Sequence, residues 1–485
     1  MNRPPEPPHL PLDLPPETMR RLGEEILSRV VDHLAELPSM PAGGTIDPAT
    51  IEARCAALPH EAPESAQDWS ALLDPFFDEG LPASFLTPGP GYLAYVPGGG
   101  LFASAIAHFL AAATNRFTGV WAAAPLLVEW EGRVLGWLRQ WMEFPENAGG
   151  LLTAGGSSSN QTAIICAREA RLGFDLRPGT MYVSREVHHC VTKSARLAGI
   201  APDRVRTIDV DERSRMLPAA LEAAVIADRE AGLRPFLVVS SAGTTNTGAV
   251  DPLREIGEIA AHHDLWHHVD GAYGAFFHLV PELRPILDGL PDADSLTLDP
   301  HKGLFLPYGT GALLVRREAD LRAVHESTAG YLPDNPPPAH YDPSLVGPEL
   351  SRPYRGLPLW FAVQLHGVAA FRDAIAEKRA LALHAAEALR EMEGLRLVDE
   401  PQLSILAFRA AGDESTEAGR AAIDRRTEEI LDEVNARGRV YLSGAWVAGR
   451  YLGRICVLCF RTDRVRLDAG LEDLAAAARE SAVGA

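Results

Sequence analysis

Three polar residues, Asp299, His301 and Lys302, interrupt an otherwise apolar stretch in the segment "TLDPHKGLF" (297–305). A buried strand usually ends in turn residues that expose their charges to water, so one interpretation of this segment is a solvated loop. The other is that Lys302 is a nucleophile at the end of a strand, because a desolvated lysine amine can attack a carbonyl carbon.

Polar residues follow other predicted strands in the same way. "LWHHVDGAY" places Asp270 at the end of an apolar strand, where a buried carboxylate is costly unless it meets a cation. "EVHHCV" places His188 at another junction, and "SSAGTTNTG" places Thr244 and Thr245 at a third. Each residue alone is more commonly a cap or turn residue. Their joint placement predicts a shared site.

The segment "LLTAGGSSSNQTAIICAR" is typical of a strand, a Gly-Gly turn and a helix. The backbone N–H groups of Gly156, Ser157 and Ser158 could point at an anion there, since the helix dipole favours negative charge. An ordinary helix cap is the commoner role of such a turn. The segment lacks the GK[ST] of a nucleotide P-loop and the G-x-S-x-G of a serine hydrolase.

Together these groups match the needs of pyridoxal phosphate. The phosphate would lie at the helix N-terminus, the lysine would join the aldehyde covalently, and the acid would keep the pyridine nitrogen protonated. A histidine group also suggests zinc, but neighbouring side chains on a strand point to opposite faces and there is no H-E-x-x-H motif. We therefore predict no metal. The histidines concerned are His262, His263, His267 and His268.

The elements that must position these residues are short apolar strands alternating with helices from about residue 106 onward. This pattern predicts an α/β fold with a mostly parallel sheet covered on both faces, and such sheets bind ligands at the carboxyl ends of their strands. We predict an N-terminal tail and helical arm (1–105), a large cofactor-binding domain (106–371) and a small C-terminal α/β domain (372–485). The proline-rich segment 329–356 is predicted to be a lid.

Apolar residues four apart, Leu22, Ile26, Val30 and Leu34, predict an amphipathic helix in the arm. A partner subunit and the rest of the chain are equally good candidates to cover its apolar face. The net charge of -20 argues against a nucleic acid partner. The first residues are too proline-rich and acidic for a secretory signal, and the longest weakly polar run is too short for a bilayer. The expected location is the cytoplasm, without a membrane partner.

The motifs "TAGGSSSNQTAI", "HVDGAYG" and "DPHKGLFLPYGTG" occur in this order, with 32 positions (302 minus 270) between Asp270 and Lys302. In them the sequence resembles the group II pyridoxal-phosphate-dependent amino acid decarboxylases, which include aromatic amino acid and glutamate decarboxylases. The resemblance runs from about Leu22 to Thr462. It implies the aspartate aminotransferase-like fold (fold type I) and a homodimer whose N-terminal helices wrap the partner. It also implies pyridoxal 5'-phosphate as cofactor and decarboxylation of a free L-amino acid to an amine and carbon dioxide.

The resemblance also assigns site residues. Lys302 corresponds to the lysine that joins the cofactor, Asp270 to the partner of the pyridine nitrogen, and His188 to the histidine that stacks on the ring. Ala272 would pack on the other ring face. The remaining contacts would be Gly156, Ser157 and His301 for the phosphate, beside Ser158 of the same turn, and Thr245 near the cofactor and the substrate carboxylate.

In the predicted lid, Tyr341 of "AHYDP" resembles the mobile tyrosine that returns a proton to the substrate carbon, and Tyr331 is the competing candidate. Animal aromatic decarboxylases place bulky aromatic residues where this chain has Val96 and Gly303, so the pocket need not prefer aromatic substrates. Transamination, aldehyde synthesis and other carbon–carbon lyase chemistry stay open as alternatives, as does a cofactor-binding protein without turnover.

Overall fold

The computed structural model describes residues 12–327 and 340–483. The α-helices are α1 (Pro16–Glu36), α2 (Pro48–Ala56), α3 (Trp69–Pro75), α4 (Phe102–Thr114), α5 (Pro125–Trp141), α6 (Gly156–Leu172), α7 (His189–Leu197), α8 (Pro218–Glu230), α9 (Leu253–His262), α10 (Pro300–Gly303), α11 (Glu318–His325), α12 (Pro343–Val346), α13 (Gly356–Glu391), α14 (Glu417–Arg437) and α15 (Arg464–Val483). The β-strands are β1 (Gly149–Thr153), β2 (Gly179–Ser184), β3 (Val205–Ile208), β4 (Arg234–Ser241), β5 (Trp266–Asp270), β6 (Ser295–Leu298), β7 (Gly311–Val315), β8 (Leu395–Leu397), β9 (Ile405–Ala410), β10 (Ser443–Val447) and β11 (Arg450–Cys456).

Seven strands form the large sheet, in the order β1-β7-β6-β5-β4-β2-β3. Strands β2 to β6 pair in parallel, whereas β7 runs antiparallel to both of its neighbours, β1 and β6. The prediction of a mostly parallel sheet is confirmed, and the antiparallel β7 is an addition that strand patterns alone do not reveal. Strands β1, β2 and β5 to β7 are buried along their whole length.

Helices cover both faces of this sheet, as the continuous apolar strands predict. Along β4, Leu237 and Val239 pack with α6 and α7, while Val238 between them packs with α8 and α9 on the other side. Along β7, Leu313 and Leu314 likewise belong to clusters on opposite faces. The alternation of side chains along each strand therefore ties two helical layers to one sheet.

The second sheet has four antiparallel strands in the order β10-β11-β9-β8, packed against α13, α14 and α15. Helix α13 crosses the predicted domain boundary at 371/372 and is broken at Gly367, which has a φ of +73°. The division of the chain at that position stays a prediction.

The N-terminal arm contains α1 to α3. Leu22 of α1 is buried, whereas Leu27 and Val31 on the same helix are 46% and 47% exposed. Arg29 of α1 and Asp74 of α3 form an ion pair of 2.8 Å. Within residues 12–327 and 340–483, no helix combines the length and apolar character needed to cross a membrane.

Candidate active site

The register of the large sheet brings the predicted site residues to one edge. Ser241 at the end of β4 pairs with Asp270 at the end of β5, and Asp270 pairs with Thr297 of β6. Strands β1 and β6 both end opposite the start of β7, where Gly311 lies. The carboxyl ends of β1, β4, β5 and β6 therefore meet at a single edge, which is where open α/β sheets bind ligands.

A cavity of about 540 Å³ opens at this edge. Nine of the ten predicted site residues line it, namely Gly156, Ser157, Ser158, His188, Thr245, Asp270, Ala272, His301 and Lys302. The wall also contains residues to which the sequence analysis assigned no contact, among them Tyr95, Asn160, Cys190, Ser241, Tyr273 and Asp299. Residues from six separate segments of the chain thus meet in one concave site.

Lys302 lies on the short helix α10, directly after β6. Its Nζ is 3.0 Å from Oδ2 of Asp299, a carboxylate that is 1% exposed. Burial disfavours the ammonium, but the attraction of Asp299, with a smaller contribution from Asp270, outweighs burial and raises the pKa of Lys302. Lys302 is therefore held as an ammonium ion at neutral pH. The other oxygen of Asp299, Oδ1, is buried without a hydrogen-bond partner among the described residues.

Asp270 is held from two sides. Nδ2 of Asn160 donates to Oδ2 of Asp270 at 2.9 Å, and the backbone N–H of Ala272 donates to Oδ1 at 3.2 Å. Both contacts fix the orientation of the carboxylate toward the cavity. A carboxylate in this position can hold a proton on a basic ring nitrogen.

His188 precedes α7 as its N-cap, and its Nδ1 accepts from the backbone N–H of Cys190 at 3.3 Å. Burial lowers the pKa of His188 against the opposing attraction of Asp270. A neutral imidazole is therefore favoured here, with an aromatic face that can cover a planar ligand.

Helix α6 provides an anion site at its N-terminus. The first N–H groups of a helix, here including those of Gly156 and Ser157, have no acceptor within the helix. Gly155 has a φ of +151°, in the region that favours glycine. A Cβ added to Gly156 would lie 3.0 Å from Oδ2 of Asp299 and 3.1 Å from Cβ of Ala272. The backbone faces the cavity because no side chain fits there.

These groups fit pyridoxal phosphate. A primary amine, a carboxylate, a neutral imidazole and a helix N-terminus that begins with a glycine face the same cavity. They supply, in that order, an attachment point for an aldehyde, a partner for a ring nitrogen, a cover for an aromatic face and a site for a phosphate.

The structure does not bring Tyr341 into this cavity. Its ring packs against helix α5, where a Cβ on Gly132 would lie 3.0 Å from Cβ of Tyr341. Its hydroxyl donates to Oε1 of Glu131 at 3.4 Å, and Glu131 also forms a buried ion pair with Arg352. The role of Tyr341 in the reaction stays a prediction. The competing candidate, Tyr331, lies outside the described residues.

The two substitutions relative to animal aromatic decarboxylases differ in their consequences. Val96 lines the cavity, so the size of its side chain bears directly on the space for a substrate. Gly303 is not part of the wall that the described residues form, and a Cβ there would lie 2.7 Å from Cβ of Phe276. Phe276 occupies the space beside Gly303, and Gly303 does not border the described cavity.

Three of the wall residues that sequence reasoning missed show what signal was or was not present. Asn160 lies four positions after Gly156, so it faces the same side of α6, and this spacing could have revealed it. Asp299 was part of the starting motif without an assigned contact. Tyr95 has a φ of +49°, a conformation that few residues other than glycine adopt, and no local pattern predicts it.

The fold and the site define a fold type I pyridoxal-phosphate enzyme. The family model of the pyridoxal-dependent decarboxylase conserved domain matches residues 52–411, and the chain belongs to this family. It acts as a pyridoxal-phosphate-dependent amino acid decarboxylase, a carboxy-lyase that produces an amine and carbon dioxide.

Individual relatives agree over nearly the whole chain. The aromatic-L-amino-acid decarboxylase of Bacillus atrophaeus is 33% identical over 454 residues, which cover 93% of each chain. The phenylacetaldehyde synthase of Arabidopsis thaliana is 26% identical and covers 91% of this chain and 92% of its own length. The crystal structure of Oryza sativa TDC with PLP and tryptamine superimposes with a TM-score of 0.90 at 25% identity, over 98% of this chain and 99% of that one.

Proposed function

We propose that this decarboxylase acts on a free aromatic L-amino acid and that Lys302 and Asp270 are its two central catalytic residues. The observation that carries the assignment of residues is that the Lys302 amine, the Asp270 carboxylate and the N-terminus of α6 face one cavity.

When bound, pyridoxal phosphate supplies an electron sink for cleavage of the bond to the substrate carboxylate. Lys302 would hold the cofactor at its aldehyde. Asp270 holds a proton on the pyridine nitrogen, which stabilises negative charge that develops only during cleavage. His188 and Ala272 orient the ring from its two faces, and Thr245 positions the substrate carboxylate.

The aromatic substrate is supported by the cavity wall and by the relatives. Tyr95, Val96 and Tyr273 border the cavity with flat or apolar surfaces. The Bacillus atrophaeus relative is named for aromatic amino acids, and the Oryza sativa structure holds tryptamine.

The test is a panel of L-tryptophan, L-tyrosine, L-phenylalanine, L-glutamate and L-lysine, with amine and carbon dioxide measured separately. We expect equal amounts of both from at least one aromatic amino acid. Keto acid would indicate a transaminase, and aldehyde in place of amine would indicate an aldehyde synthase. Bound cofactor without any product would indicate a binding protein. Lys302→Arg should abolish turnover, whereas Lys193→Arg on the exposed side of α7 is the matched control.

Tyr341 is proposed, from the family resemblance, to return a proton to the substrate carbon. Its hydroxyl contacts Glu131 in the described conformation, so this role requires residues 340–342 to leave α5. Tyr341→Phe should lower the ratio of amine to oxidised aldehyde. An unchanged product ratio would exclude Tyr341 from the reaction.

The assembly is proposed to be a cytoplasmic homodimer. Large apolar side chains are exposed on several N-terminal helices, including Leu27 and Val31 of α1, Phe109 of α4 (68%) and Leu126 of α5 (66%). Such patches mark interfaces between chains. All five cysteines are free, which suits a reducing compartment. Light scattering should give twice the chain mass of 52.3 kDa, and a monomer would contradict the proposal.

A further inference from the structure

A buried chain of hydrogen bonds runs from the interior of the sheet to Asp270. Nε1 of Trp266 donates to Oγ of Ser295 at 2.8 Å, and this oxygen lies 2.8 Å from Nδ1 of His268. Nε2 of His268 lies 2.8 Å from Oδ1 of Asn160, whose Nδ2 donates to Asp270. The first four residues are at most 2% exposed. The chain is therefore isolated from water behind the cavity.

The chemistry of its two ends gives the chain one direction. The indole N–H of Trp266 can only donate, so Ser295 accepts from it. At the other end Nδ2 of Asn160 donates to Asp270, so the amide oxygen of Asn160 faces His268 and must accept from its Nε2, which leaves Nδ1 to accept from Ser295. Burial lowers the pKa of His268 to about 4, so the ring is neutral and carries its single N–H on Nε2. This N–H then donates to Asn160. Every donor in the chain points toward Asp270.

The orientation of the Asn160 amide is fixed by a second donor. Oγ1 of Thr297 donates to Oδ1 of Asn160 at 2.7 Å, beside the contact from His268. Two donors on the amide oxygen leave the NH₂ group facing Asp270. A reversed amide would place its NH₂ group against two donors and its oxygen against a carboxylate, and it would lose all three hydrogen bonds.

We propose that Asn160 and His268 are positioning residues that keep the Asp270 carboxylate aimed at the pyridine nitrogen of the cofactor. They act through Asp270 and touch no reacting atom. The inference rests on the role proposed for Asp270. It predicts that disrupting this chain of hydrogen bonds weakens the binding of only those ligands that carry a ring nitrogen.

The test uses cofactor-free protein titrated with pyridoxal phosphate and with its carbocyclic analogue, in which CH replaces the ring nitrogen. Asn160→Leu keeps the volume but removes the donor to Asp270. We expect it to weaken pyridoxal phosphate binding by roughly ten- to a hundredfold, the range for a hydrogen bond to a charged group. The analogue should bind within about twofold of the original protein, and the absorbance spectrum of bound pyridoxal phosphate should change.

Variants of the more distant residues test the direction of the chain. His268→Leu removes both ring nitrogens and should weaken the binding of pyridoxal phosphate. His268→Gln has a donor and an acceptor, so it should bind pyridoxal phosphate more tightly than His268→Leu does. Thr297→Val removes one donor to Asn160 and should weaken the binding of pyridoxal phosphate by a smaller factor than Asn160→Leu does. It also serves as the test if Asn160→Leu does not fold. If the variants weaken the binding of pyridoxal phosphate and of its analogue equally, these residues only support the cavity. If the binding of both ligands is unchanged, the residues do not position Asp270.

Asp270→Asn separates this inference from the proposed function. If Asp270→Asn leaves the preference for pyridoxal phosphate over the analogue intact, the proposed role of Asp270 fails. If it removes the preference while the Asn160 and His268 variants keep it, only the positioning role fails.

Discussion

The ion pair between Lys302 and Asp299 leads to a quantitative prediction for Asp299→Asn. Only an unprotonated amine attacks an aldehyde, and Asp299 raises the pKa of Lys302. Attachment of an aldehyde should therefore accelerate as the pH rises. Replacing Asp299 by the neutral Asn lowers the pKa of Lys302, so attachment should be faster at a given pH and its pH profile should move to lower pH.

The magnitude follows from the contact distance. Unit charges 3.0 Å apart, the distance between Nζ and Oδ2, attract by about 5 kcal/mol at an effective dielectric constant near 20. The Lys302 side chain is 24% exposed, and the oxygen of the introduced Asn still accepts a hydrogen bond from it. Asp299→Asn should therefore reduce the stabilisation of the Lys302 ammonium by roughly 1.4 to 3 kcal/mol. This corresponds to an acceleration of about ten- to 150-fold at neutral pH.

The assay mixes cofactor-free protein with saturating pyridoxal, which lacks the phosphate, and follows the absorbance of the covalently attached aldehyde between pH 6 and 9. Pyridoxal phosphate is compared in parallel, because Asp299 also borders the anion site at Gly156. Asp292→Asn, at an exposed position, is the matched control. Acceleration with pyridoxal phosphate alone would mean that Asp299 repels the phosphate. An unchanged rate and pH profile with pyridoxal would refute control of the amine by Asp299.

Two further predictions concern stability, measured as the midpoint of urea-induced unfolding. Gly303→Ala forces a Cβ to within 2.7 Å of Phe276 and should cost about 1–3 kcal/mol. In the control Gly136→Ala, within helix α5, the added Cβ meets no atom within 4 Å, so this variant should stabilise the protein by up to about 1 kcal/mol. If Gly303→Ala and Gly136→Ala changed the stability equally, the packing argument would be contradicted. Glu131→Ala leaves the buried guanidinium of Arg352 without its carboxylate partner. It should lower the free energy of unfolding by about 3–5 kcal/mol. Replacing both partners by Met should recover at least half of this loss; a double variant as unstable as the single one would show that the unpaired charge is not the cause.

Much of the fold was predictable because its patterns are local. The run "LVVSS" in β4 places Leu237 and Val239 on one face of the sheet and Val238 on the other, and this alternation is visible in the sequence. The edge strand β3, "VRTI", was not predicted, because its central Arg206 and Thr207 interrupt the apolar run. β3 pairs only with β2 and is only partly buried, so its sequence carries a weaker apolar pattern.

The candidate site was predictable where its residues directly follow strands. Lys302 and Asp270 come after apolar runs, and parallel strands must bring their carboxyl ends to the same edge. The long-range contacts of the predicted site residues were not predictable in this way. Asn160 meets Asp270 across 110 positions of the chain, and Tyr341 meets Glu131 across 210.

The sequence by itself determined the alternation of strands and helices, the cofactor motifs and the residues that end at the catalytic edge, because each of these depends on neighbours along the chain. Only the tertiary structure decided the antiparallel β7, the filling of space by Phe276 and the one-way hydrogen-bond chain to Asp270. These depend on the register between strands and on close packing, where a shift of one residue would exchange the side chains that face each other.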